Sequence, residues 1–188
     1  MKFKTLWVLA GLMVGFGAWF IPTAKTAPRL LKAHADIQGV PGSGISGEAL
    51  FVQTGDGIAP GVHVIVHVSG LPPDSDHGMH IHEAGRCEPP GFSTAGGHFD
   101  PGPFGSSTPV DTNHPYHMGD LDPVHANSAG NASIEYHTSR ITLSPGPLSV
   151  FDANGSAIMI HRDPDQGTTG VPGGAGGPRI ACGVIMAE

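Results

Sequence analysis

Hydrophobic and polar positions alternate over several short stretches of the chain. Val62-His-Val-Ile-Val-His-Val68 puts four valines on one side of an extended backbone and His63 and His67 on the other. A strand repeats every two residues, so this segment predicts a half-buried strand with both histidines facing solvent. Ile45 to Val52 reads as another strand, followed by a turn at Thr54-Gly-Asp-Gly57. Met79-His-Ile-His82 continues the pattern, and the two-residue spacing turns His80 and His82 the same way. Ile134-Glu-Tyr-His-Thr138 predicts a strand with Ile134 and Tyr136 inward and His137 outward. Asn154-Gly155 is a turn signal before a strand ending near Ile160, and Ile180 to Ile185 is the closing strand. No long helical period runs through the body of the chain. Residues 84–120 and 163–178 are instead rich in Gly, Pro, Ser and Asp, and loops of that length usually carry function or an internal tie. The whole predicts an all-β protein: a Greek-key β-barrel or sandwich of about eight antiparallel strands with two long functional loops.

The N-terminus follows a different pattern. Met1-Lys-Phe-Lys is basic, and Leu6 to Ile21 is uncharged and apolar. Residues 1–27 therefore read as a signal peptide or an uncleaved N-terminal anchor, with 28–44 as a linker and 45–188 as one domain. An apolar run this short favours export with cleavage over a membrane span, which needs about 20 residues. The 188 residues include 29 Gly and 18 Pro, read as turns and ordered loops between strands.

Charge narrows the partners. Residues 33–188 hold all sixteen acids and only Arg86, Arg140, Arg162 and Arg179, a net charge of −12 with His neutral. Nucleic acid is excluded as a partner on that balance. The only cysteines are Cys87 and Cys182, and an even pair in an exported chain reads as a disulfide rather than two buried thiols.

The candidate chemistry lies in the histidines. They fall in His77-Gly-Met-His80-Ile-His82-Glu83, Gly96-Gly97-His98-Phe-Asp-Pro101, His117-Met-Gly-Asp120 and Ile158-Met-Ile-His161. Neutral imidazole suits copper and zinc. These segments point to two metals sharing one region of a β-rich protein. His34, His63, His67 and His137 are assigned to the surface.

In these motifs, together with Gly177-Pro-Arg179-Ile-Ala-Cys182-Gly-Val, the chain resembles the copper/zinc superoxide dismutases over about residues 45–186. Arg86-Cys87-Glu88-Pro89 is similar to the bacterial branch. The resemblance implies an exported superoxide dismutase with copper and zinc as cofactors and superoxide anion as substrate. It implies copper ligation by His80, His82, His98 and His161. It implies zinc ligation by His98, which would bridge the two metals, and by His117 and Asp120. Arg179 would guide the anion, Asp165 would be the carboxylate linking the two sites, and His77 would brace the copper strand. Cys87 and Cys182 would form the family disulfide. Relatives of this kind include monomers and homodimers, and membrane contact is expected only through the N-terminal segment.

One departure stands out. The family places a further zinc histidine soon after the bridging one, yet Gly102-Pro-Phe-Gly-Ser-Ser-Thr108 contains none. His114, in His114-Pro-Tyr-His117, is the expected substitute, with His125 a weaker one. That altered loop keeps open a second reading, a copper- or zinc-binding module without turnover on the same fold. The net charge of the body also repels an anionic substrate, so attraction has to come from local focusing at copper and Arg179.

Overall fold

A computed structural model describes residues 30–55, 60–105, 107–108, 110, 114–167 and 175–188. The expected signal peptide or anchor over 1–27 and part of the turn at Thr54–Gly57 lie outside the described residues, as does part of the second long loop.

The strands are β1 (Leu31–Gly39), β2 (Ser46–Thr54), β3 (Gly61–Ser69), β4 (Ser75–His77), β5 (Met79–His82), β6 (Val124–Ala126), β7 (Ala132–Thr138), β8 (Ala157–His161), β9 (Arg179–Val184) and β10 (Met186–Ala187). The described residues form an all-β fold. One antiparallel sheet runs β5-β8-β9-β1-β2-β3-β7, with β10 paired to β1 and β4 paired to β6. The neighbours β1-β2-β3 are consecutive in sequence. The chain then crosses to β5 at the far edge and returns to place β7 beside β3, in Greek-key fashion. Because β4 runs into β5 and β6 packs beside β7, the small β4–β6 sheet joins the two edges and closes a barrel.

Alternation explains the core. Val62, Val64, Val66 and Val68 of β3 are buried, and they meet Ala33, Ala35 and Ile37 of β1 and Ala49 and Phe51 of β2. His63 and His67 face outward, as the pattern predicts. His63 stacks on its register partner His137 at 4.4 Å.

The linker expected over 28–44 is corrected. Residues 31–39 form β1, paired to β2 over Leu31–Gln38 and also bonded to β9 and β10. Ala33, Ala35 and Ile37 fill the inner face, while Lys32, Asp36 and Gln38 face out. Small inward alanines give a faint hydrophobic signal, which is why the strand is hard to read beside the turn at Pro41–Gly44.

A smaller apolar cluster of Phe92, Ala95, Ala157, Met159 and Cys182 lies apart from the main core. It sits beneath the first long loop, and the Cys87–Cys182 disulfide enters it. That loop is anchored there by a single 3-10 turn at Ser93–Ala95.

Candidate metal centre

Strand β5 is the spine of the site. Met79 and Ile81 join the main core, while His80 and His82 project from the opposite face, and all four are buried. The first long loop is laid against this strand by backbone bonds. The Phe99 N–H donates to the Ile81 carbonyl at 2.8 Å, and the Gly119 N–H donates to the Phe99 carbonyl at 2.6 Å. His98 forms a bridge with His82, and Asp120 forms one with His80. His161 ends β8 at a register shift opposite Arg179.

His80, His82, His98 and His161 each offer one ring nitrogen within 4.8 Å of the others, and all four are buried. Nε2 of His82 and Nε2 of His161 lie 3.4 Å apart. The opposite nitrogens are held. The His82 Nδ1–H donates to the Gly96 carbonyl at 3.0 Å, and the His161 Nδ1–H donates to the Gly177 carbonyl at 2.9 Å. Nε2 of His80 lies 2.6 Å from Oδ2 of Asp165, which leaves its Nδ1 buried without a hydrogen bond. Nδ1 of His98 lies 2.8 Å from Oδ1 of Asp120. Each ring is therefore fixed by one nitrogen and presents the other to a common point, as ligating imidazoles do.

Burial sets the charge state of these rings. It holds His80 below its ordinary value, His82 well below it, and His161 down to about 3. In each case neighbouring imidazoles add to the effect. Neutral rings are the form that binds a metal. Asp120 resists its own burial because the contact with His98 and the His117 N–H keep its carboxyl below the usual range. Asp165 is likewise lowered against burial, by His80 and the Gly167 N–H.

A second cluster lies behind His98. His98, His117 and Asp120 bring three donor atoms within 4.8 Å of one another. Nε2 of His117 bonds the Thr108 carbonyl at 3.0 Å, and its Nδ1 lies 3.8 Å from Oδ1 of Asp120. The other Asp120 oxygen accepts the His117 N–H at 2.9 Å.

His114 is not part of that trio. It is buried beside His117, with ring centroids 5.1 Å apart, and it forms a separate cluster with His117 and Asp100. His125 stands elsewhere, exposed on β6 and paired with Asp76 of β4 at 2.7 Å. Asp165 contacts His80 through Oδ2 and, through Oδ1, the Gly167 N–H at 2.7 Å; among the described residues neither oxygen is bonded to His98 or His117. His77 is buried under the site, 2.9 Å from the His161 carbonyl and 2.8 Å from the Ser75 hydroxyl. Arg179 is half-buried and donates to the Phe92 carbonyl at 2.7 Å and to the Gly96 carbonyl that also accepts from His82. Burial lowers its pKa, and Glu83 opposes that.

Copper and zinc fit these donors. Four imidazoles suit copper, and a histidine–aspartate set suits zinc. Buried Nδ1 atoms of His80 and His117 lack hydrogen bonds, as expected where a cation is the intended partner.

Residues 45–185 match the family model for copper/zinc superoxide dismutase (SODC). The chain belongs to the copper/zinc superoxide dismutase family. It is 37% identical over 156 residues to Superoxide dismutase [Cu-Zn] 1 of Aquifex aeolicus, covering 82% of this chain and 88% of that protein. It is also 37% identical over 136 residues to Superoxide dismutase [Cu-Zn] of Deinococcus radiodurans, covering 68% and 71%. A solved SOD-like protein from Bacillus subtilis superposes with a TM-score of 0.66 at 27% identity, covering 80% of this chain and 96% of that one.

Sequence reasoning missed Asp100. An acid two residues after His98, in a loop without periodicity, carries no signal beyond its position. It also missed the close approach of Gly119, where an added Cβ would lie 2.3 Å from the Ile81 carbonyl oxygen.

Proposed function

We propose that the protein is an exported superoxide dismutase, converting superoxide to dioxygen and hydrogen peroxide. The observation that carries this reading is the convergence of four buried imidazoles, each with its outer nitrogen held. Bound copper would supply a centre that alternates between two oxidation states, and zinc a redox-inactive tie.

The residues have distinct parts in this scheme. His80, His82 and His161 hold copper through the nitrogens left open by Asp165, Gly96 and Gly177. His98 faces both clusters, with Nδ1 on the Asp120 side, so its Nε2 is the atom that can hold a proton for the product. His98, His117 and Asp120 hold zinc, with His114 as the fourth ligand. Arg179 is the fixed cation for an incoming anion. Its carbonyl tethers hold the guanidinium in place beside an otherwise acidic body. The disulfide and the basic-then-apolar N-terminal segment support an oxidising destination outside the cytoplasm.

A second reading is a copper- or zinc-binding module on this fold. The separation of His114 from the His98–His117–Asp120 trio favours it. The test is the superoxide dismutation rate of the full chain loaded with both metals, beside His80→Ala. Rapid copper-dependent turnover, abolished by the substitution, is expected. Stoichiometric copper without turnover would reject the enzyme and favour the module.

A further inference from the structure

We propose that Asp100 is a positioning residue for zinc: it takes the Nε2–H of His114 and thereby leaves Nδ1 of that ring to the metal. The inference rests on the reading of His114 as the fourth zinc ligand and explains how an unusually placed histidine would be held there.

Oδ2 of Asp100 lies 3.1 Å from Nε2 of His114, and the two side chains are 3% and 5% exposed. The distance is that of a hydrogen bond, yet the oxygen has none at its present angle. A buried carboxylate oxygen without a donor is costly, so a small ring rotation that makes this bond is favourable. The ring is confined in the right sense. Phe104 stacks on its face at 4.4 Å and 17°, and His117 meets it edge-on. Oδ1 of Asp100 is 3.4 Å from the Met118 N–H, on the same segment as His117 and Asp120.

Metal binding would complete the arrangement. A neutral imidazole carries one proton, so a metal on Nδ1 places that proton on Nε2. Nε2 then donates to Asp100, and ligation and carboxylate satisfaction reinforce one another. The same device occurs on the copper side, where Asp165 lies against Nε2 of His80 and leaves Nδ1 inward. Two carboxylates, one for each metal, would thus share the orienting work expected of Asp165 alone.

The test measures metal affinity rather than turnover. Zinc is titrated into the full chain with copper already bound, against a chromophoric chelator, for wild type, Asp100→Asn, Asp100→Ala and His114→Ala. Cobalt(II) then replaces zinc to read the ligand set by its visible spectrum. Asp100→Ala is expected to weaken zinc binding about ten- to a hundredfold, with Asp100→Asn between it and wild type. The saturated cobalt spectrum and the copper signal should stay as in wild type, which loss of folding would not allow. Wild-type zinc affinity in both Asp100 variants, with His114→Ala impaired, overturns the role of Asp100 alone. Wild-type affinity in His114→Ala overturns the ligand reading and this inference with it. A cobalt spectrum altered in Asp100→Asn makes Asp100 a direct ligand and also rejects the proposal.

Discussion

At the scale of single residues, Arg179 makes the clearest demand on experiment. It is tied to two carbonyls of the first loop, and one of them, Gly96, also holds His82. Arg179→Ala removes the cation but leaves the His82 bond, so copper content should persist. The second-order rate with superoxide should fall about tenfold at low salt, and its ionic-strength dependence should flatten. An unchanged rate at low salt would reject the guiding role. The buried histidines make a separate prediction for the metal-free protein. His161 moves from 6.5 unfolded to about 3 folded, and His80 and His82 shift the same way. Above pH 6.5 these rings are neutral in both states, and their contribution to stability is fully present. As pH falls below 6.5 the unfolded chain takes up protons that the folded chain refuses, so stability is lost towards pH 3. His161 alone would account for a loss of about 2 kcal/mol at pH 5. The urea midpoint of metal-free protein should be lower at about pH 5 than at about pH 7.5; equal midpoints would show that the rings are charged or exposed when folded.

At the scale of elements, the site depends on how closely the first loop lies against β5. Gly119 is where the fit is tightest, against the Ile81 carbonyl on one side and Phe99 on the other. Gly119→Ala should cost about 1–3 kcal/mol by overpacking and weaken zinc binding, because Asp120 and His117 flank it. Gly61→Ala at the start of β3, where an added Cβ meets nothing within 4 Å, is the matched control and should be near neutral. Equal melting temperatures for the two variants would show that the loop yields freely. Legibility in the sequence follows the same physics. The valines of β3 announce their strand because large apolar groups at every second position line up on one face only when the backbone is extended. The inward Ala33 and Ala35 of β1 carry too little hydrophobic contrast to do so. His80 and His82 are legible as a pair because they share a strand. The relation of His114 to Asp100 is not, since a Gly/Pro loop gives no period from which to infer which side chains meet.

At the scale of the whole molecule, the crosslink joins two of the elements that frame the candidate metal ligands. Cys87 lies in the first loop and Cys182 in β9, 95 residues apart in sequence. Two further bonds run between the same elements, from Arg179 of β9 to the carbonyls of Phe92 and Gly96. The disulfide thus closes a long chain loop in the unfolded state and, in the folded state, holds the segment that leads into His98. The first effect is general: excluding extended conformations over a loop of this length stabilises the fold by about 3–5 kcal/mol on the chain-entropy model. The second is local, because Phe92 and Ala95 pack with Cys182 in the small cluster beneath the loop. Replacing both cysteines with serine should therefore lower the urea midpoint of the metal-free protein and steepen its unfolding slope, since the unfolded chain becomes more expanded. Metal affinity should fall as well, because the loop bearing His98 must then be ordered on binding. A loss of several kcal/mol in unfolding free energy with unchanged copper and zinc affinity would confine the crosslink to the unfolded state. A loss below about 1 kcal/mol would assign the fixing of the loop to the Arg179 tethers and the small apolar cluster instead.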